Sequence, residues 1–177
     1  MKKLLVVVDM QNDFIDGALG TKEAQAIVPN VVKKIVEWDG DIVCTLDTHG
    51  KDYLNTREGK KLPVPHCIEG TDGHSINEEI KAVLFDKADE TEMSLSTLQK
   101  RTFGSTALPE IIRDAGIDYI ELVGLCTDIC VVSNAMLLKA NYPEMEIAVD
   151  SSCCAGVTPE THEAALTTMR MCQIEVK

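Results

Sequence analysis

Tyr119-Ile120-Glu121-Leu122-Val123-Gly124-Leu125-Cys126-Thr127-Asp128-Ile129-Cys130-Val131 starts as a short, mostly apolar run and ends in residues with helical spacing. Residues 119–123 read as a strand that stops at Gly124, and Ile129–Ala140 reads as a helix. A strand that feeds directly into a helix is one half of a β-α unit, and the pattern recurs on both sides of this stretch. Leu4–Val8 is a continuous apolar run and predicts a strand buried on both faces. Ala26–Trp38 carries Ile27, Val31, Val32, Ile35 and Val36 at helical spacing. Asp41–Leu46 predicts a second strand, Glu78–Phe85 a helix and Ser96–Lys100 a short strand. Ala107–Ala115 predicts a helix with Gly116 as its C-cap. Glu146–Val149 predicts a strand, and Pro159–Cys172 a helix with Thr158 as cap and Pro159 in its first turn. Gln173–Val176 fits a last edge strand. The alternation predicts an α/β fold: a doubly wound, mostly parallel sheet with helices on both faces.

The 177 residues suit one domain spanning 1–177, since domains commonly run to roughly 100–200 residues. No repeat or low-complexity tract interrupts them. A chain of this length buries enough surface to fold without disulfides. Hydrophobic residues make up 45% and aromatics only 4%, so the core is expected to be aliphatic. Seventeen basic against 29 acidic residues give a net charge of −12. That charge repels polyphosphate and anionic lipid, which argues against nucleic-acid and membrane partners. Met1-Lys2-Lys3 followed by Leu4–Val8 is too short for a signal peptide, and Asp9 ends it. Seven cysteines, at 44, 67, 126, 130, 153, 154 and 172, form no CxxC pair. An odd number in a chain of this size points to reduced thiols and a cytoplasmic protein.

In open parallel sheets, ligands bind beyond the carboxyl ends of the strands. The polar residues there are Asp9, Asp47 with His49, Lys100, and the segment Gly124–Cys130. Cys130 lies near a helix start, where free amides and the helix dipole favour a thiolate. The same amides suit a tetrahedral oxyanion. The competing reading is an ordinary buried cysteine. Asp9 follows Val6-Val7-Val8 and requires a partner if buried. It is a candidate base, or else a turn cap. Lys100 stabilises negative charge if it reaches that site, and is otherwise a surface lysine. Asp47 and His49 alternate on an extended segment, and with His66 they make a credible metal set. Glu58 is a possible further carboxylate. A polar turn is the alternative. His74 and His162 have no matching partners in the sequence and read as structural or exposed.

Taken in order, these motifs resemble the isochorismatase-like cysteine hydrolases, and within them the nicotinamidase/pyrazinamidase branch, over nearly the whole chain. Val7-Val8-Asp9-Met10-Gln11-Asn12-Asp13-Phe14 is similar to the family's opening strand and turn. Gly124–Val131 is similar to its nucleophile segment G-x-x-T-[DE]-x-C-V. The resemblance implies a triad of Asp9, Lys100 and Cys130, and a cis peptide at Leu125-Cys126 that aims the amides of Cys126 and Cys130 into an oxyanion hole. It implies a divalent metal, zinc foremost with iron or manganese as alternatives, on Asp47, His49, His66 and Glu58. Phe14, Leu62 and Phe103 are the pocket residues it points to. Two positions depart from the pattern. Pro63 stands where many nicotinamidases carry a tryptophan, and Phe103-Gly104-Ser105 replaces the usual tyrosine-containing turn. The activity implied is hydrolysis of nicotinamide to nicotinate and ammonia through a thioester, by a self-associating enzyme on a small-molecule amide. Another amidase of the superfamily acting on a carbamoyl or ureido compound is an alternative. So is a catalytically silent metal-binding protein on this fold.

Overall fold

Leu4, Val6 and Val8 point to one side of the first strand and Leu5 and Val7 to the other, and all five are buried. Alternation along a strand covered on both faces produces this pattern. In the computed structural model, which describes residues 1–177, this strand (β1, Lys3–Val8) lies in the middle of one six-stranded sheet. The others are β2 (Asp41–Asp47), β3 (Leu95–Lys100), β4 (Tyr119–Leu125), β5 (Glu146–Ala155) and β6 (Glu175–Val176). The order is β3-β2-β1-β4-β5-β6, and every neighbouring pair is parallel.

Helices cover both faces, as the doubly wound reading requires. In chain order they are α1 (Asn12–Ile15), α2 (Lys22–Glu37), α3 (Arg57–Lys61), α4 (Glu78–Glu90), α5 (Ala107–Ile112), α6 (Val132–Asn141) and α7 (Pro159–Met171). Residues of α1, α2 and α4 close the core on the Leu5–Val7 side. Residues of α5, α6 and α7 close it on the Leu4–Val6–Val8 side. Thr21, Asn77 and Thr158 each cap a helix with a side-chain oxygen, which accepts from free amides of the first turn. No helix is long and apolar enough to cross a membrane.

The strand order reverses between β1 and β4, because β1 leads to β2 on one side while β4 leads to β5 on the other. This is the topological switch point, where a crevice opens beyond the carboxyl ends. Asp9 follows β1 there and Cys126 follows β4.

Several elements differ from the sequence reading. α4 runs on past Phe85 to Glu90, and α5 ends at Ile112 with Arg113, not Gly116, as its C-cap. β5 extends to Ala155, past its apolar part ending at Val149. Between Val149 and Cys154 its register slips against β4, and Asp150–Cys153 bulge out opposite Val123. The polar bulge hides the strand's second half from a hydrophobicity reading. The helix expected from Ile129 is preceded by a π-helical turn, Thr127–Val131.

Candidate active site

Asp9 leaves β1 with a positive φ of 48°. This left-handed conformation is uncommon for a residue with a side chain, although aspartate tolerates it better than most. The turn buries its carboxylate completely. Oδ1 accepts from the Thr45 hydroxyl at 2.7 Å, and Oδ2 lies 2.6 Å from Lys100 Nζ. Lys100 ends β3 directly beside Asp47, its register partner on β2. Its ammonium also lies 3.3 Å from Asp47 Oδ1 and 3.4 Å from Cys130 Sγ. Asp9, Lys100 and Cys130, far apart in sequence, thus meet in one buried group.

Burial is the largest influence on each of these groups. It raises the Asp9 carboxyl, and the neighbouring Lys100 only partly offsets this. It pushes the Cys130 thiol well above its ordinary value, and the negative charge of Asp9 adds to the effect. Burial alone would lower Lys100, but Asp9 and the other anions around it hold the ammonium charged, above its usual value. A helix start by itself favours a thiolate; here burial outweighs it, and the thiol lies in one group with a carboxylate that can take its proton.

The backbone around Cys130 follows from the switch from β4 into the turn. The Leu125–Cys126 peptide is cis, as the family resemblance implies. The Cys126 carbonyl accepts from the amides of Ile129 (3.1 Å) and Val131 (3.0 Å). The α-helical bond that would take up the Cys130 amide is not made. Gly124 has φ 117°, and a Cβ there would collide with the Val8 carbonyl. Only glycine lets β4 run this close to β1 just before the turn.

Asp47, His49, Glu58 and His66 each offer one ligand atom, and all four atoms lie within 4.8 Å of one another. His49 Nε2 is 2.9 Å and His66 Nε2 3.5 Å from Asp47 Oδ2; the same nitrogens lie 3.7 and 3.9 Å from Glu58 Oε1. His66 Nδ1 donates to the Val64 carbonyl at 2.8 Å, a group that can only accept. That bond puts the proton on Nδ1 and leaves the Nε2 lone pair facing the cluster. Burial alone would raise Asp47, but His49 and His66, when their Nε2 atoms carry a proton, and the Lys100 ammonium hold it below the usual carboxylate range. A ligated metal with bonds of about 2.0–2.2 Å places its donors roughly 3–3.5 Å apart. His49 and His66 stand at about that spacing from Asp47, and Glu58 a little further out, so a small inward shift of Glu58 would let one divalent cation sit among the four.

Several supports escaped the sequence reading. Gln11 is fully buried and grips Asp47 twice: its Nε2 donates to the Asp47 carbonyl and its Oε1 accepts from the Asp47 amide. Asp13 accepts from the Cys67 amide at 2.7 Å and so holds the loop that carries His66. Tyr53 lies edge-on to both His49 and His66. Buried Asn134 donates to the Cys130 and Phe103 carbonyls and accepts from the Ser105 amide, joining the turn that carries Cys130 to the loop after Lys100. A DxQxD pattern after an apolar strand was the only available sign of Gln11 and Asp13. Nothing local marks Asn134. His74 shares a hydrogen bond with Thr48, and His162 one with Thr127.

A cavity of about 260 Å³ opens onto these groups. Cys126, Cys130, Asp47, Glu58 and His66 all line it. Phe14, Leu62 and Phe103 line it as well, joined by Leu19, Ile129 and Val157. A larger groove of about 460 Å³ beside α4 and β3 contains none of the triad and none of the four ligand candidates.

A thiol, a carboxylate and an ammonium at the switch point of a parallel α/β sheet, beside a carboxylate–imidazole cluster, define a cysteine-hydrolase type of centre. An isochorismatase domain matches residues 3–176, and the chain belongs to the isochorismatase family. It is 28% identical to the nicotinamidase/pyrazinamidase of Mycobacterium tuberculosis, covering 98% of this chain and 97% of that protein. The crystal structure of a nicotinamidase/pyrazinamidase from Bacillus subtilis superposes with a TM-score of 0.85 at 28% identity, over 99% of each chain. The pyrazinamidase of Pyrococcus horikoshii in complex with zinc superposes with a TM-score of 0.76 at 26% identity, over 100% of this chain and 99% of that one.

Proposed function

We propose that this chain hydrolyses nicotinamide to nicotinate and ammonia through a thioester on Cys130. One observation carries the proposal: a single small cavity is lined both by Cys130 and by the Asp47, Glu58 and His66 members of the cation-type cluster. A pyridine carboxamide offers a ring nitrogen to the cluster and a carboxamide to Cys130. The relatives named as nicotinamidases support the same substrate.

Asp9 takes the Cys130 thiol proton. The sulfur bonds to the carboxamide carbon, and the C=O π pair moves onto oxygen, to which the amides of Cys126 and Cys130 donate hydrogen bonds. Lys100 offsets the charges that Asp9 and the sulfur carry in turn. When the tetrahedral adduct collapses, the C–N bond breaks and Asp9 returns its proton to the nitrogen, which leaves as ammonia. Water then adds to the thioester, giving its proton to Asp9, and the C–S bond breaks to release the acid and restore the thiol. Asp47, His49, Glu58 and His66 are the residues that would hold a divalent metal. Zinc suits this donor set, as do iron and manganese. Such an ion, when bound, supplies a Lewis-acidic anchor for the ring nitrogen. Phe14, Leu62 and Phe103 enclose the ring.

The test is ammonia release from nicotinamide compared with carbamoyl and ureido amides, with metal content measured on the same sample. Preference for nicotinamide is expected. Turnover of a carbamoyl compound alone would overturn the substrate and keep the nucleophile. No turnover of any amide, with Cys130 no faster toward iodoacetamide than the other six thiols, would leave a silent binding protein.

A further inference from the structure

The turn that carries Cys126 and Cys130 is held from outside by the junction between β5 and α7. Thr127, between the cis peptide and the nucleophile, is fully buried. Its hydroxyl shares a hydrogen bond of 2.8 Å with His162 Nδ1, from the first turn of α7. The next residue, Asp128, accepts from the Val157 amide at 3.1 and 3.2 Å through its two oxygens. Gly156 lies so close that an added Cβ would meet the Cα, Cβ and N of His162 at 2.9 Å. The Thr158–Thr161 capping box fixes where α7 begins, and hence where His162 stands. Gly156 and Val157 also line the substrate cavity.

This arrangement addresses a specific weakness of the turn. In its π-helical geometry the usual helical bond to the Cys130 amide is missing, so the turn relies on fewer internal hydrogen bonds. A buried hydroxyl left without a partner forfeits its hydration with nothing in return, so Thr127 strongly favours the position in which it meets His162. We propose that His162 is a positioning residue: through Thr127 it fixes the turn that aims the Cys126 and Cys130 amides at the developing oxyanion. The proposal rests on Cys130 being the nucleophile.

The test uses His162→Ala, His162→Asn and Thr127→Val in the 177-residue chain. His162→Ala is expected to lower kcat by about 10–100-fold, the scale of a misplacement of around 1 Å, with KM near its original value. Asparagine places a hydrogen-bonding atom close to the Nδ1 position and is expected to restore most of the rate. Thr127→Val is expected to match His162→Ala, and the double variant to be no worse than either. A second readout does not need turnover. Pyridine-3-carbaldehyde adds to a cysteine thiol as a hemithioacetal: the C–S bond forms, the C=O π pair moves to oxygen, and the thiol proton passes by way of Asp9 to that oxygen. Its affinity should fall about 10-fold or more in His162→Ala, because it reports the oxyanion donors, while nicotinate affinity stays constant. If the unmodified enzyme does not hydrolyse nicotinamide, the substrate reading fails and the aldehyde comparison still decides this one. The proposal is overturned if His162→Ala keeps full kcat and aldehyde affinity. It is equally overturned if asparagine rescues nothing, if the two single losses multiply in the double variant, or if only the melting temperature changes.

Discussion

Two clusters of charge lie in the same sheet, one fully buried and one reaching the surface, and they are built in opposite ways. At the C-terminal ends of the strands, Lys100 is the one cation facing Asp9, Asp47 and Cys130. On β4 and β5, beneath α2, Glu121 receives Lys34 at 2.6 Å, Lys177 at 2.9 Å and the Tyr119 hydroxyl. Lys34 continues to Asp150 at 2.7 Å, in the β5 bulge. In the second cluster burial alone would raise Glu121 and Asp150, but their partners win and both are held below their ordinary values. In the first, burial wins at Asp9, which is raised, while Asp47, flanked by two imidazoles as well as Lys100, is lowered. The number of cations per acid separates a fastener, which keeps its charge, from a centre that can exchange a proton. The second cluster ties α2, the bulge and Lys177 together.

Substitutions can break this contrast. Cys130→Ala should reduce ammonia release by at least about 10³-fold, with an almost unchanged melting temperature. Asp9→Asn keeps a polar group for Thr45 but cannot take a proton. It should cost about 10²–10⁴-fold in kcat, and a steady-state rate above that range would remove Asp9 as the base. Gln11→Ala frees Asp47 from its double grip and should weaken divalent-metal affinity by about 10–100-fold, measured by competition with a chromogenic chelator. Lys34→Met should do the reverse of the first two. Denaturant unfolding should show a loss of about 1–3 kcal/mol, discounted for the partial exposure of Lys34, while kcat holds.

The smallest expected effect is on acid stability. Glu121 is bound less tightly by protons in the folded state than in the unfolded one, so its contribution is present above its ordinary value of 4.5 and is lost as pH falls below it. In Glu121→Gln, stability should fall less steeply below that pH than in the unmodified chain. An identical slope would mean the cluster does not fasten the fold.

The sequence made the first cluster legible and concealed the second. Asp9, Lys100 and Cys130 each follow a readable strand or start a helix, and Asp47, His49 and His66 stand in a spacing that ligation explains. The apolar runs of β1, β2 and β4 likewise revealed the central strands. Glu121 sits inside an apolar strand and Asp150 in a polar stretch that looks like the end of one. Only the pairing of β4 with β5, and α2 lying across both, brings them to Lys34. The partners of Gln11, Asn134, Thr127 and His162 were hidden for the same reason. They are carbonyls, amides and hydroxyls supplied by other parts of the chain, and burial by distant elements leaves no periodic mark in the sequence.

The central claim is that Cys130 carries the acyl group. Acid quenching during turnover of nicotinamide, followed by peptide mass analysis, tests it most directly. The account predicts a nicotinoyl adduct confined to the peptide containing Cys130, and its absence in Cys130→Ala. Continued turnover by Cys130→Ala, or an adduct on any of the other six cysteines instead, would contradict it.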